Sequence, residues 1–513
     1  MVSLKKMQID RMGRFYPAIF TAAGSFVVYI LTLEREVNWG DSAELALQAY
    51  WLGVTHPTGY PVHTLVGKLF TLFFSEPAIA TNLLSAICTS LAVGVMSLII
   101  LDLTEDIFTS LFVPLFFAFT PLTWSMAVTT EIYNVNLLFF GVSLFLVLRY
   151  YKRPSLWKVL GCSLVFGLSL GVHLLNVILL PFFLFLIYRA DRRLNSIIVF
   201  ILGVFFSGVA ILSFSYFRAQ EIAPLGTQYV PTTLTNYWNY LTCNQCDVVT
   251  VFEASYYVER ALEHARIVFA NYAYLGILLG ILGLVLLWLE RRELAIVFAL
   301  IVGLELGYLT TYQSWEYYNM AGPAHFVFTL SMAFCGRLPK IIIKVGLTQL
   351  AGGWGCLGGQ RPPKHPQFSP ELRNSKKEYL VFGIRAVVLI LCAFSLFSQF
   401  PAKYERARSY PVTQYVTRSF KRFPPRAVVV SEWSTFPALL YFQKIHHLRE
   451  DLILIERTTD PRYYDFGEVS SYIDLIMVES PRRPIVIDRQ DEKLAEDFTF
   501  SQLYKRWYLA TER

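Results

Sequence analysis

The sequence predicts an all-α polytopic membrane bundle of about eleven transmembrane helices, with a small C-terminal α/β domain. Three observations predict this fold class. Hydrophobic residues make up 55% of the chain and its mean hydropathy is +0.45. Charged residues make up only 16%, against roughly 25% in soluble proteins. The apolar residues are grouped in stretches of spanning length, with Lys and Arg clustered between them.

A helix needs about 20 mainly apolar residues to cross a bilayer. The long apolar run between 156 and 188 exceeds one helix, and it is divided where Gly171, His173 and Asn176 interrupt it. The stretch 62–75 is too short to span and is expected to lie at the interface or to re-enter. The predicted spans are 15–33, 79–101, 107–125, 133–151, 156–172, 174–188, 195–216, 267–289, 293–310, 322–336 and 380–399.

The distribution of Lys and Arg predicts the orientation, because cytoplasmic loops carry an excess of both. Lys5, Lys6 and Arg11 place the N-terminus inside, and no small-residue cleavage site follows, so the first span is expected to be retained. An odd number of spans then puts the C-terminus outside. The net charge of +7 is spread over these loops and forms no single patch, which disfavours nucleic acid as a partner.

Four regions follow from this arrangement. Residues 1–336 form the bundle, 337–379 a cytoplasmic linker rich in Gly, Pro and basic residues, and 380–399 the last span. Residues 400–513 are more charged, and runs such as AVVVSEW, DLILIE and PIVID predict strands alternating with a helix or two. This domain is expected outside the membrane. A CxxC in a polar loop, Cys243 and Cys246, favours a local disulfide or two free thiols over a metal site.

Four polar clusters fall on the predicted outer face. Ionisable groups at membrane depth are costly, so they are functional candidates by default. Any one of them has a structural interpretation as an interfacial charge, an aromatic-belt residue or a satisfied core histidine. Together, several carboxylates and two histidines on one face indicate an active site. The clusters are 38–44 with 56–61, 129–134, 171–173 with Asn176, and 314–318.

These residue types suit an enzyme that moves a sugar from a polyprenyl phosphate. A carboxylate base takes the proton of the acceptor hydroxyl as it attacks the anomeric carbon. The leaving phosphate is anionic, so cations or N–H donors must meet the developing charge. The available donors are Arg35, His56, Lys68 and His173, and the rings that could stack on a sugar are Trp39, Tyr60, Trp124 and Trp315.

At these residues the sequence resembles the transmembrane O-mannosyltransferase-like family. Its pattern, Asp-x-x-Glu and then Leu-Gly-x-x-His-Pro-x-Gly-x-Pro, is matched at Asp41, Glu44, Leu52, Gly53, His56, Pro57, Gly59 and Pro61. Its Glu-Val-Tyr-x-Leu-Asn element is matched at Glu131, Tyr133 and Asn136, and its Gly-Leu-x-x-Gly-Asn-His-x-Thr element at Gly167, Leu168, Gly171 and His173. YQSWEYYNMAGPA and SEWSTFPALLYFQ resemble later segments. Val172 replaces an Asn, Ser314 an Asp, and Ser431-Glu432-Trp433 an acidic Asp-Gly-Asp run.

The resemblance implies a GT-C glycosyltransferase fold with the catalytic acid in the first outer loop. Asp41 would be the general base, Glu44 its neighbour or a metal contact, and Glu131 a second acidic group. The histidines would contact substrate or phosphate. The predicted catalytic residues are Asp41, Glu44 and Glu131. The predicted substrate-binding residues are Arg35, Trp39, His56, Tyr60, His173, Asn176, Trp315 and Glu316.

The implied function is transfer of a hexose, mannose among the candidates, with inversion, from a polyprenyl-phosphate donor to a hydroxyl of a protein, lipid or glycan. The only cofactor left open is a divalent cation, Mg or Mn, and no set of metal ligands is assigned beyond the alternative role of Glu44. The expected location is a bacterial plasma membrane, with the site on the extracytoplasmic face. The alternative function is a transporter or flippase of lipid-linked sugars, although such proteins favour midplane charges and internal repeats. Neither feature is found in the sequence.

Overall fold

The computed structural model describes residues 13–221, 233–243, 254–312, 317–338, 370–457, 472–490 and 492–513. Up to Arg406 these residues are helical. Three short 3-10 segments, Leu174–Leu179, Tyr317–Ala321 and Ala333–Arg337, join helices. The helices are α1 (Tyr16–Leu31), α2 (Asp41–Trp51), α3 (Pro61–Thr71), α4 (Pro77–Thr104), α5 (Ile107–Ala118), α6 (Pro121–Ala127), α7 (Ile132–Lys152), α8 (Leu156–Leu170), α9 (Leu180–Asp191), α10 (Leu194–Glu221), α11 (Leu234–Thr242), α12 (Ala254–Tyr272), α13 (Leu275–Glu290), α14 (Arg292–Leu309), α15 (Gly322–Met332) and α16 (Pro370–Arg406).

Every predicted span overlaps at least one of these helices. The predicted break near residue 171 is confirmed, because α8 ends at Leu170 and the 3-10 segment begins at Leu174. Among the described residues, five helical segments are long and apolar enough to cross a membrane, or up to seven if each bent pair counts as one span. The chain is therefore a multi-pass integral membrane protein, and the total of eleven spans stays a prediction.

Two spans predicted as continuous helices are broken. Within 107–125 the chain bends by 69° between α5 and α6, and within 267–289 it bends by 95° between α12 and α13. Thr120 is extended because the following Pro121 disfavours helical backbone before it. At the second bend Ala273 and Tyr274 both have positive φ angles, which ends a right-handed helix.

The last predicted span, 380–399, lies inside a longer helix, and its borders in the membrane stay a prediction. Helix α16 begins at Pro370 and continues to Arg406, so the borders drawn at 379/380 and 399/400 both fall inside it. Hydropathy identifies only the apolar stretch of this helix. The helix continues beyond that stretch at both ends because Lys, Arg and Glu are also good helix formers.

The bundle core lies where α4, α5 and α7 meet the later helices α13 and α15. Large side chains such as Trp124, Phe116, Phe117 and Phe166 are almost fully buried there. Glycines allow close approach of neighbouring helices, as where Gly167 of α8 faces Val204 of α10. Cys243, which follows α11, is disulfide-bonded, and Cys246 lies outside the described residues.

The C-terminal domain is α/β, as predicted. It contains a five-stranded sheet in the order β2-β1-β3-β5-β4, in which β2, β1 and β3 are parallel and β5 and β4 form an antiparallel hairpin. The strands are β1 (Val428–Ser431), β2 (Ile453–Glu456), β3 (Ile485–Ile487), β4 (Phe498–Tyr504) and β5 (Trp507–Glu512). The helices are α17 (Pro411–Phe420), α18 (Phe436–Ile445) and α19 (Tyr472–Glu479).

This domain packs directly on α2. Ala43, Ala46 and Leu47 of α2 share one buried cluster with the apolar face of the sheet and of α17 and α18. Glu36, just before α2, accepts hydrogen bonds from the backbone N–H groups of Val412 and Thr413 at the start of α17. Helix α2 is therefore held between the bundle and the C-terminal domain.

Candidate active site

The first turn of α2 presents two carboxylates. Asp41 and Glu44 are three residues apart and so share one face of the helix. Their negative charge at a helix N-terminus is favoured by the helix dipole. The two differ in exposure: the side chain of Asp41 is 26% exposed, whereas that of Glu44 is 2% exposed.

A tight turn after α2 brings His56 back to these carboxylates. Within the turn, the N–H of Gly59 donates to the carbonyl of His56 at 2.9 Å, and the N–H of Tyr60 donates to the Thr55 hydroxyl at 3.0 Å. Gly59 has a φ of +80°, and a Cβ there would lie 2.5 Å from the Tyr240 hydroxyl. Both facts require glycine at this position.

Glu44 accepts two hydrogen bonds from His56. The backbone N–H donates to Oε1 at 2.7 Å, and ring Nδ1 lies 2.8 Å from Oε2. Nδ1 faces a carboxylate, so it carries the proton. The other ring nitrogen, Nε2, lies 3.5 Å from Asp41 Oδ2. The imidazole thus lies between the buried carboxylate of Glu44 and the partly exposed carboxylate of Asp41.

Burial sets the electrostatics of this group. Burial raises the pKa of the Glu44 carboxyl above its ordinary value, and the adjacent His56 ring and its hydrogen bonds oppose that shift. A buried carboxylate needs such partners to stay ionised. Both oxygens of Glu44 are directed at His56, so in this arrangement Glu44 orients the imidazole.

Aromatic side chains lie next to His56 on the side away from Glu44. The Tyr60 hydroxyl lies 3.2 Å from His56 Nε2, and the Tyr60 ring lies 6.3 Å from that of His173. Burial, with the Asp41 charge added to it, raises the pKa of Tyr60 well above its ordinary value, so the phenol is neutral. His173 Nδ1 accepts the N–H of Leu175 at 3.2 Å, which leaves Nε2 to carry the proton of the neutral ring. The ring centres of Tyr133 and His173 are 5.9 Å apart.

Glu131 lies immediately before α7, at the same end of the bundle as α2. It is 8% exposed, and its N–H donates to the Ser85 hydroxyl at 3.3 Å. The neighbouring Thr130 donates to Asn82 at 2.6 Å, and Asn82 in turn donates to the carbonyl of Glu34 at 2.8 Å. This chain of bonds ties the start of α7 to the loop that leads into α2.

Asn176 stabilises the break between α8 and α9. Its amide donates to Asn136 at 2.6 Å and to the carbonyl of Ser169 at 3.1 Å. These bonds stabilise the bend that contains His173. In the structure, Asn176 therefore positions that histidine. Asn136 matches the family pattern, and here it is the partner of Asn176.

The remaining predicted substrate-binding residues lie elsewhere or cannot be placed. Arg35 is exposed in the loop between α1 and α2. Trp39 packs edge-on against Tyr415 of the C-terminal domain, with ring centroids 5.3 Å apart. Trp315 and Glu316 lie outside the described residues. Substrate contact by these four residues stays a prediction.

Sequence reasoning missed one residue of the site, Trp433. Its indole Nε1 donates to Asp41 Oδ1 at 2.6 Å, and its ring lies 5.5 Å from that of His56. It belongs to the loop after β1, and the next residue, Ser434, accepts the N–H of Gly40 at 3.2 Å. The available signal was its place after a parallel strand, since ligand sites often lie at the carboxyl ends of such strands.

The loop that carries Trp433 is held by a network of charges. The N–H of Glu432 donates to Asp488 at 2.7 Å, and the Glu432 carboxylate pairs with Arg506 at 2.9 Å and Arg489 at 2.7 Å. Asp488 also pairs with Arg457. Among the described residues, no group of three or more His, Cys, Asp or Glu side chains is arranged to hold a metal ion. A divalent cation stays a prediction.

Residues 41–196 match the model of the family described as protein O-mannosyl-transferase TMEM260 N-terminal domain. A mouse protein O-mannosyl-transferase TMEM260 is 27% identical over 209 residues, which is 39% of this chain and 30% of that protein. The Dictyostelium discoideum protein O-mannosyl-transferase tmem260 is 24% identical over 184 residues, or 32% of this chain and 22% of that protein. The chain thus covers less than a third of the length of either relative.

The fold is similar to that of solved structures over almost the whole chain. The crystal structure of ArnT from Cupriavidus metallidurans in the apo state has a TM-score of 0.59 at 12% identity, covering 96% of this chain and 97% of that one. The same protein bound to undecaprenyl phosphate gives 0.58 at 11% identity. The predicted GT-C-like architecture is thereby confirmed at the level of the fold. Residues 41–196 are thus similar to the N-terminal domain of the transmembrane O-mannosyltransferase-like family, and the chain as a whole is similar in fold to ArnT.

Proposed function

We propose that this protein is a membrane glycosyltransferase that moves a hexose, mannose in the first instance, from a polyprenyl-phosphate donor to an acceptor hydroxyl. The matched family domain and the related proteins named O-mannosyl-transferases support sugar transfer. The similar ArnT structure was solved with undecaprenyl phosphate bound, which supports a polyprenyl-phosphate ligand.

One observation carries the assignment of the base. Of the two carboxylates on α2, Glu44 is sealed and directed at His56, whereas Asp41 is partly exposed beside a ring of aromatic side chains. A general base must reach the proton that it removes. Asp41 meets that requirement and Glu44 does not.

In the proposed reaction, Asp41 is the general base. The acceptor oxygen forms a bond to the anomeric carbon on the face opposite the phosphate, while the bond from that carbon to the phosphate oxygen breaks. The hydroxyl proton passes to Asp41, and polyprenyl phosphate leaves as an anion. Inversion at the anomeric carbon follows from this single displacement.

The remaining residues act by position and charge. Glu44 fixes the His56 ring so that its Nε2 faces Asp41. His173, with its proton on Nε2, is a neutral donor toward the sugar or the phosphate. Trp433 holds the rotamer of Asp41. Glu131 is the second acidic group, placed by the start of α7.

The acceptor is proposed to be a hydroxyl of a protein, because the related proteins are named protein O-mannosyl-transferases. The site is proposed to face away from the cytoplasm, on the strength of the Lys and Arg distribution. The relatives named above come from a mouse and a slime mould, and the similar structure comes from a bacterium. The bacterial plasma membrane stays a prediction.

The test is sugar transfer by purified protein in liposomes that contain radiolabelled polyprenyl-phosphate mannose and a Ser/Thr-rich acceptor peptide. Asp41→Asn should abolish transfer, and Asp497→Asn, an exposed carboxylate in the C-terminal domain, should leave it unchanged. Wild-type turnover by Asp41→Asn would remove the proposed base. Movement of intact donor across the bilayer without transfer would instead favour the transporter.

A further inference from the structure

A basic cavity lies at the end of the bundle opposite the candidate active site. It has a volume of about 630 Å³ and is formed where the ends of α4, α7 and α9 meet the junction of α13 and α14. Helix α7 connects the two places: Tyr133 at its start faces the site and Lys152 at its end lines the cavity. At 1.5 Å per residue, these ends are separated by about 30 Å, the thickness of a bilayer core. The lining residues are Leu103, Leu148, Tyr151, Lys152, Arg189, Arg291, Arg292, Glu293 and Leu294.

The lining carries four cations and one carboxylate. That carboxylate, Glu293, is held by Arg189 and by the Tyr151 hydroxyl at 2.7 Å. Three other acidic groups lie nearby. Asp102 pairs with Arg149 and its charge also reaches Lys152, as does that of Glu105. Glu290, next to Arg291, pairs with Arg337 at 2.7 Å. Positive charge therefore exceeds negative charge inside the cavity.

The remaining three cations are positioned by uncharged groups. Lys152 donates to the carbonyl of Asp102, and Arg291 donates to the carbonyl of Leu103 at 3.1 Å. The Arg292 guanidinium lies 4.6 Å from the centre of the Trp288 ring. Carbonyls and an aromatic face orient these cations without neutralising their charge. The excess positive charge of the cavity therefore favours binding of an anion that is not part of the chain.

The shape and position of the cavity suit a lipid. Its inner wall is apolar, with Leu103, Leu148 and Leu294 buried behind the cations. Its volume is in the range of small-molecule sites, about 300–1,000 Å³, and far exceeds what one phosphate needs. It opens where helices of spanning length end, so in a bilayer we expect it near the lipid head groups. Basic pockets of this kind on the cytoplasmic side of membrane proteins hold anionic head groups.

We propose that this cavity binds the phosphate head group of an anionic membrane lipid. The phosphate lies among Lys152, Arg291 and Arg292, and the glycerol and upper acyl carbons lie against the leucines. This site is separate from the one proposed for sugar transfer. Its occupancy ties the ends of five helices together.

The test is lipid binding by the intact protein in neutral detergent, followed by native mass spectrometry and thermal unfolding. Dioleoyl phosphatidylglycerol should bind and raise the unfolding temperature, whereas dioleoyl phosphatidylcholine should do neither. The double variant Arg291→Gln/Arg292→Gln should bind the anionic lipid roughly 30-fold more weakly, at about fivefold per cation. The matched control is Arg153→Gln/Arg193→Gln, two exposed arginines at the same end of the bundle but outside the cavity, and it should bind like the wild type.

Two results would overturn the proposal. One is equal loss of binding in the control and cavity variants, which would indicate a general charge effect of the surface. The other is equal stabilisation by inorganic phosphate at matched concentration, which would identify a site for soluble anions. If the double variant does not fold, the single change Lys152→Gln, at an exposed helix end, should weaken binding about fivefold. Wild-type binding by that variant would also refute it. None of these measurements depends on sugar transfer.

Discussion

Replacing His56 by alanine should destabilise the protein in a way that depends on pH. The change leaves the backbone N–H bond to Glu44 in place but removes the Nδ1 contact at 2.8 Å. The side chain of Glu44 is only 2% exposed, so water cannot substitute for the lost donor. A hydrogen bond to a charged group contributes about 1.5–3 kcal/mol. We expect a loss of about 2–3 kcal/mol when Glu44 is ionised.

The direction of the pH dependence follows from the pKa of Glu44. Burial raises this pKa in the folded protein and His56 opposes the rise, so removing His56 raises the pKa further. A carboxyl whose pKa is raised by folding stabilises the folded state below its unfolded pKa, and this stabilisation is lost as the pH rises through the folded pKa. Through Glu44, His56→Ala should therefore cost more stability at pH 8.5 than at pH 5.

The assay is equilibrium unfolding by sodium dodecyl sulfate in mixed micelles, followed by circular dichroism at both pH values. His56→Asn should recover much of the stability, because its amide N–H can occupy the position of Nδ1. In a Glu44→Gln background the cost of His56→Ala should lack this Glu44 contribution, since the buried carboxylate that accepts the Nδ1 proton is absent. The same pH dependence of that cost in the wild-type and Glu44→Gln backgrounds would refute this account of Glu44.

Three further predictions concern the geometry around the site. Gly59→Ala should lower the free energy of unfolding by about 1–3 kcal/mol in the same assay, since φ is +80° and Tyr240 occupies the space of the new Cβ; no loss would mean that the turn can relax. Asn176→Ala should cost about 1–3 kcal/mol, because the buried side-chain oxygen of Asn136 loses this donor and the carbonyl of Ser169 loses one of its hydrogen bonds, and an unchanged midpoint would contradict this. Trp433→Phe keeps the ring but removes the N–H donated to Asp41, so kcat for sugar transfer should fall about tenfold at unchanged KM and stability; a rise in KM alone would indicate that Trp433 binds substrate rather than positioning Asp41.

The sequence was sufficient to predict the membrane bundle and the centre of the site. Hydropathy records which residues avoid water, so each predicted span overlaps a helix and the break before His173 is confirmed, while the number of membrane crossings stays a prediction. The spacing of Asp41 and Glu44 placed both on one helix face because helical periodicity is local. The pattern around His56 indicated a rigid turn, since prolines and a glycine restrict the backbone over a few residues.

The tertiary structure alone decided which of these residues meet and what completes the site. Trp433 reaches Asp41 across 392 positions in the chain, a contact that requires the C-terminal domain to dock on α2. Neighbouring residues set helices and turns, whereas contacts between distant segments depend on how whole surfaces pack. The bend at Ala273 and Tyr274 likewise has no glycine or proline to signal it. Local sequence pattern thus determines the helices and turns of this protein, whereas long-range packing determines that Trp433 contacts Asp41, the proposed base.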